Sequence, residues 1–125
     1  MHYKNVLHID DDQEDLEIFS TTVEEFKTKI NCTSLTCAAT ALKKLVSHEL
    51  SPEVIFLDLN MPGMDGFQFL KEIKKIKGFK IPVIVLSTSS QPETISSAKE
   101  YGADGYLTKP NSIKKFVQLL TPFFL

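Results

Sequence analysis

Asp58 ends the apolar run Val54-Ile55-Phe56-Leu57 and opens the turn Asp58-Leu59-Asn60-Met61-Pro62-Gly63, so its carboxylate is presented from the tip of a buried strand. Two other runs end the same way: Val6-Leu7-His8-Ile9 leads into Asp10-Asp11-Asp12, and Gly105-Tyr106-Leu107-Thr108 leads into Lys109-Pro110. As parallel neighbours, these strands bring carboxylates, the Ser87 hydroxyl and a lysine into one crevice at their C-terminal ends, where open α/β sheets bind ligands. Carboxylates that close repel one another and gain proton affinity unless a cation neutralises them. Oxygen-only donors with positions left for water and phosphate suit Mg²⁺, with Mn²⁺ as a substitute, better than zinc. The expected chemistry is that of a divalent metal and a transferable phosphoryl group. A calcium-loop reading from Asp10 fails, because Asp15 and Thr21 stand where Gly and Glu are needed.

Not every charged residue nearby belongs to that chemistry. Asp12, Glu14 and Asp15 read as the acidic start of a helix, with Asp12 as its cap. His8 lies within a strand and reads as a core histidine with its hydrogen bonds satisfied. Cys32 and Cys37 have neither the spacing of a redox pair nor the partners of a zinc site, and read as two buried thiols in a reducing compartment.

The elements that must position these residues follow from periodicity. Apolar runs at Val6 to Ile9, Cys32 to Thr36, Val54 to Leu57, Ile81 to Leu86 and Tyr106 to Leu107 alternate with longer stretches of helical period, which predicts βα repeats around a parallel sheet. Leu16, Phe19, Val23 and Phe26 make one helix stripe; Ala38, Ala41, Leu42 and Leu45 a second; Gly66, Leu70, Ile73 and Ile76 a third. Ile113, Phe116, Val117 and Leu120 make the last. The fourth stretch, Thr94 to Tyr101, offers only Ile95 and Ala98 and should be the least stable helix. Ser90-Gln91-Pro92-Glu93 and the pair Asp65 and Gln68 read as capping boxes, and Gly78 and Gly102 as helix ends.

A chain of 125 residues is expected to form one domain spanning 1–125. Fourteen basic and sixteen acidic residues leave a formal net charge of -2, which gives no long-range preference for nucleic acid or a membrane surface. No apolar stretch has the length of a signal peptide core or a membrane helix, so a cytoplasmic protein is expected. No output domain is expected after the closing Thr121-Pro122-Phe123-Phe124-Leu125.

These residues, in this order, resemble the receiver domain of two-component response regulators, and single-domain chemotaxis regulators in particular. The resemblance rests on Asp10-Asp11, on Asp58-Leu59-Asn60-Met61-Pro62-Gly63-Met64-Asp65-Gly66, on Ser87, and on Lys109-Pro110. It implies a doubly wound, flavodoxin-like (βα)5 sandwich whose five-stranded parallel sheet has the order 2-1-3-4-5. It further implies that Asp58 accepts a phosphoryl group from a histidine kinase or a histidine phosphotransfer protein. Asp11, Asp58 and the Asn60 carbonyl would hold Mg²⁺ directly and Asp10 through water, while Lys109 stabilises the phosphoryl oxygens. Ser87 would then bond the phosphoryl group, and Tyr106 would fill the space that its loop vacates. A cis Lys109-Pro110 bond is implied as well. Such a protein is no conventional enzyme, yet it catalyses its own aspartyl phosphorylation and dephosphorylation, and it signals by binding a downstream partner.

Two positions depart from the commonest pattern. Thr88 replaces a smaller residue and should narrow access to Asp58, and His8 replaces an aliphatic one. Two rival readings remain at this level: a flavodoxin-like flavin carrier, whose phosphate the acidic loop would repel, and a receiver-like scaffold that binds partners without phosphorylation.

Overall fold

The computed structural model describes residues 2–125. Five strands, β1 (Asn5–Ile9), β2 (Asn31–Leu35), β3 (Val54–Leu57), β4 (Val83–Ser87) and β5 (Gly105–Thr108), alternate with five helices. The helices are α1 (Gln13–Glu24), α2 (Ala38–Val46), α3 (Gly66–Ile73), α4 (Pro92–Glu100) and α5 (Ile113–Phe124). All strand pairs are parallel, in the order β2-β1-β3-β4-β5. This is the expected doubly wound sandwich. β3 and β4 are buried at every residue, as central strands covered on both faces must be. β4 begins two residues later than its apolar run, after Pro82, which has no N–H to give to a ladder.

The two faces of the sheet carry different cores. On one face, Leu7, Ile9, Ile55, Leu57, Val83 and Val85 meet α2, α3 and the single fully buried α4 residue, Ala98. On the other, Val6, Phe56, Ile84 and Leu86 meet α1 and α5 through an aromatic assembly. Phe19 sits with its ring centroid 5.1 Å from that of Phe56 and 5.8 Å from that of Phe116, separations at which tilted and edge-on rings attract. The α1 stripe is buried as read, although Phe26 lies in the turn after the helix. Phe69, absent from the predicted α3 stripe, is fully buried, whereas Ile113, assigned to the α5 stripe, is exposed in the first turn.

Helix starts agree in part with expectation. The Asp12 side chain accepts from the Glu14 and Asp15 N–H groups, and Asp65 with Gln68 forms a reciprocal capping box. For α4 the expected box is absent: Gln91 occupies the cap position without a side-chain bond. Ser89 takes over part of that task, because its Oγ accepts from the Gln91 N–H at 3.3 Å. Gly78 and Gly102 adopt left-handed φ after their helices, as predicted. Neither cysteine is fully buried. Cys32 is half-buried on the edge strand β2, and Cys37 is exposed before α2, where bonds to Thr40 lower its thiol pKa.

Candidate phosphoryl and metal site

Main-chain hydrogen bonds set each chemical side chain at the same edge of the sheet. The Asp10 N–H donates to Leu35 O at 3.0 Å, the Asp58 N–H to Ile9 O at 3.0 Å, and the Lys109 N–H to Ser87 O at 2.7 Å. Each bond continues a parallel ladder one residue past its strand, so the strand ends β2-β1-β3 and β4-β5 are locked in register there. The turn after Asp58 is held by α3: the Gly66 N–H donates to Leu59 O, and a Cβ at Gly66 would lie 2.5 Å from Asp58 O and 2.7 Å from Leu59 Cα. Only glycine permits this approach.

Asp10, Asp11 and Asp58 each offer a carboxylate oxygen within 4.8 Å of the others. Asp10 and Asp58 are buried and Asp11 is exposed, so the cluster opens to solvent on one side. Lys109 closes the other side. Its Nζ donates to Asp10 Oδ2 at 2.8 Å and to Asp15 Oδ2 at 2.8 Å, and stands 3.5 Å from Asp58 Oδ1. It reaches them across a trans bond to Pro110, since no peptide among the described residues is cis. The cis bond implied by the resemblance is therefore not present; Lys109 is already aimed by its N–H bond to Ser87.

The electrostatics follow from one ammonium serving three carboxylates. Burial raises the Asp58 pKa to about 6; the positive charge of Lys109 opposes the shift and the negative charge of Asp10 adds to it. Burial likewise raises Asp10, against its bonds from Lys109 and the Asp12 N–H. Burial alone would lower Lys109, but its bonds to Asp10 and Asp15 and the charge of Asp58 reverse this and raise its pKa. The upward shifts on both sides are compatible, because the crevice holds more negative than positive charge. A surplus of hard oxygen donors of this kind fits a divalent cation.

Asp15 is the residue that sequence reasoning missed. It does lie in the acidic first turn of α1, and its carboxylate is also one of the two closest partners of Lys109. Its position on the first turn of a helix that begins beside Asp10 was the available signal. His8 also departs from expectation: it is buried, but both its ring nitrogens lack a hydrogen-bond partner among the described residues.

Ser87 is fully buried at the end of β4, with its Oγ accepting from the Ser89 N–H at 3.2 Å. Tyr106 is half-buried and its hydroxyl donates to Ser89 O at 2.6 Å, tying β5 to the β4–α4 loop. Asn60 is exposed and borders a cavity of about 310 Å³ with Ser87, Ser89, Glu93 and Thr94. Thr88, expected to narrow access to Asp58, is exposed at the start of the β4–α4 loop.

A family model described as the response regulator receiver domain matches residues 6–121. The chain is 35% identical over 109 residues to the two-component response regulator ORR6 of Oryza sativa subsp. japonica, covering 85% of this chain and 62% of that one. It is 37% identical over 91 residues to the DNA-binding transcriptional regulator NtrC of Escherichia coli (strain K12), covering 73% of this chain and 19% of that one. Among solved structures, the chemotaxis response regulator CheY4 of Vibrio cholerae superposes with a TM-score of 0.79 at 29% identity, over 94% of this chain and 95% of that one. The Mn²⁺-bound form of response regulator Rcp1 gives 0.80 at 29% identity, over 95% and 93%. No described helix is long and apolar enough to cross a membrane. With the sheet order, the acidic crevice and these matches together, the chain belongs to the receiver domains of two-component response regulators, and its site is consistent with a phosphorylation-activated switch.

Proposed function

We propose that residues 1–125 form a single receiver domain that accepts a phosphoryl group on Asp58 from a histidine kinase or a histidine phosphotransfer protein in the cytoplasm. The observation that carries this reading is the meeting of Asp10, Asp11 and Asp58 around one edge of the sheet with the Lys109 ammonium beside them. An Asp58 oxygen attacks phosphorus in line; the bond to the donor's imidazole nitrogen breaks, and that nitrogen leaves with its electron pair. Asp11, Asp58 and the Asn60 carbonyl are suited to hold Mg²⁺, with Asp10 acting through water. A bound divalent cation supplies the positive charge that the phosphoryl oxygens need. Lys109 turns from Asp10 toward a phosphoryl oxygen. Ser87 exchanges its bond from the Ser89 N–H for one to the phosphoryl group, and Tyr106 follows the loop. Output passes to a protein partner by recognition of that rearranged surface, without contact to nucleic acid or membrane by this domain.

Incubation with a small acyl phosphate and Mg²⁺ tests the reading by intact mass. The wild type should gain one acid-labile phosphoryl group, lost on chelation of the metal. Asp58→Asn should gain none, and an adduct of equal yield in that variant would overturn the assignment.

A further inference from the structure

His8 is 1% exposed, its ring lies 4.2 Å from that of Phe19, and no group among the described residues bonds either nitrogen. Buried polar groups in native proteins are almost always paired, so a wholly orphaned imidazole calls for a reason. Its Nε2 is 3.9 Å from Asp10 Oδ2, roughly 1 Å beyond hydrogen-bond length. That oxygen is the one gripped by Lys109 at 2.8 Å, while Asp10 Oδ1 is engaged by the Asp12 N–H at 3.0 Å. If Lys109 leaves, Oδ2 is a buried anionic oxygen that has lost its protein donor, a state that is costly. A cavity of about 50 Å³ bordered by His8, Asp10, Asp15 and Lys109 gives these side chains room to move. A neutral imidazole has one N–H, and when carried on Nε2 it faces Asp10 Oδ2.

We propose that His8 is a positioning residue for Asp10, whose Nε2–H takes over Asp10 Oδ2 when the Lys109 ammonium leaves it for a phosphoryl group on Asp58. This rests on the proposed function, because it needs Lys109 to move. An aliphatic side chain at position 8 fills the strand but supplies no donor, so Lys109 stays on Asp10 and Asp15 and phosphoryl uptake slows.

The test joins kinetics to spectroscopy. With an acyl phosphate and Mg²⁺, His8→Leu should take up phosphate roughly tenfold more slowly than wild type, the effect of losing one hydrogen bond to a charged group. His8→Gln, which keeps an N–H near the same place, should recover most of that rate. In nitrogen-labelled wild type, imidazole spectra should show the Nε2–H form before and after addition of beryllofluoride and Mg²⁺, with the Nε2–H resonance moving downfield on addition. A purely structural histidine gives equal uptake in wild type and His8→Leu, or an Nδ1–H form, or an unmoved resonance; each of these overturns the inference while leaving Asp58 as acceptor. Failure of the wild type itself to take up phosphate overturns the proposed function. The wild-type spectra decide the matter even if His8→Leu does not fold.

Discussion

Lys109 carries more of the resting structure than a lysine reserved for a phosphoryl group would. It is the only cation within reach of Asp10, Asp15 and Asp58 in the described ion pairs, and two of those distances are 2.8 Å. Truncation leaves buried carboxylates without a partner, so Lys109→Ala should cost about 2–3 kcal/mol in denaturant titration with a metal chelator present. Divalent metal should restore part of the loss. A cost below about 0.5 kcal/mol, the range of ordinary surface changes, would show that the ion pairs do not stabilise the fold. Which residues were legible at this scale follows from how they are marked. Asp10, Asp58 and Lys109 each stand where an apolar run stops, and the strand end aims them. Asp15 stands inside a helix whose N-terminus already explains an acidic residue, so its tertiary partner was hidden behind a sufficient local cause. The isolation of His8 depends on what faces it across the sheet and α1, which spacing does not encode.

At the scale of elements, the β4–α4 connection is tied at Ser89 from three sides. Its N–H reaches Ser87, its Oγ pairs with Thr94 Oγ1 at 3.2 Å and accepts from Gln91, and its carbonyl accepts from Tyr106. The helix it leads into buries one residue fully, Ala98. Ser89→Ala removes the substitute cap and should lower local protection of α4 amides by about 1 kcal/mol in hydrogen exchange. Protection in α5 should stay unchanged, and an equal loss in both helices would contradict this local role. The weakness of α4 was readable in its scarcity of apolar residues. Its true cap was not, because four consecutive hydroxyl residues from Ser87 to Ser90 offer several candidates and Ser90 has the better local spacing. The start of α3 depends on Gly66 more rigidly. Gly66→Ala places a methyl against two main-chain groups that cannot rotate away, and should cost about 2–4 kcal/mol in thermal or denaturant unfolding. A neutral substitution would mean that α3 can slide off the Asp58 turn.

For the whole molecule, the crevice links stability to pH and metal. The folded state holds the Asp58 proton more tightly than the unfolded chain does, with a pKa of about 6 against 3.8. Its contribution to stability is present in full below the unfolded value and is lost as pH rises through the folded one. Metal-free wild type should therefore lose up to ~3 kcal/mol from this group between about pH 4 and about pH 7. Asp58→Asn, which has no such proton, isolates the effect: without metal it should exceed wild type in stability at neutral pH and converge with it in acid. Mg²⁺ should stabilise wild type more than the variant, as a ligand of the folded state does. Denaturant titrations of both proteins across this range, with and without chelator, check the sign. A gap that widens on acidification would refute it.

The tie between Tyr106 and Ser89 has an optical side. The chain contains no tryptophan and three tyrosines, so with excitation beyond the phenylalanine band its emission comes from Tyr3, Tyr101 and Tyr106. Of these, Tyr106 is the one whose phenol donates to a loop carbonyl beside the candidate phosphoryl site. Emission from a phenol changes when its hydroxyl exchanges a carbonyl for water. The position of the loop is thus written into the intrinsic colourless fluorescence of the protein, and Tyr106→Phe supplies the blank against which to read it, without any dye or added label.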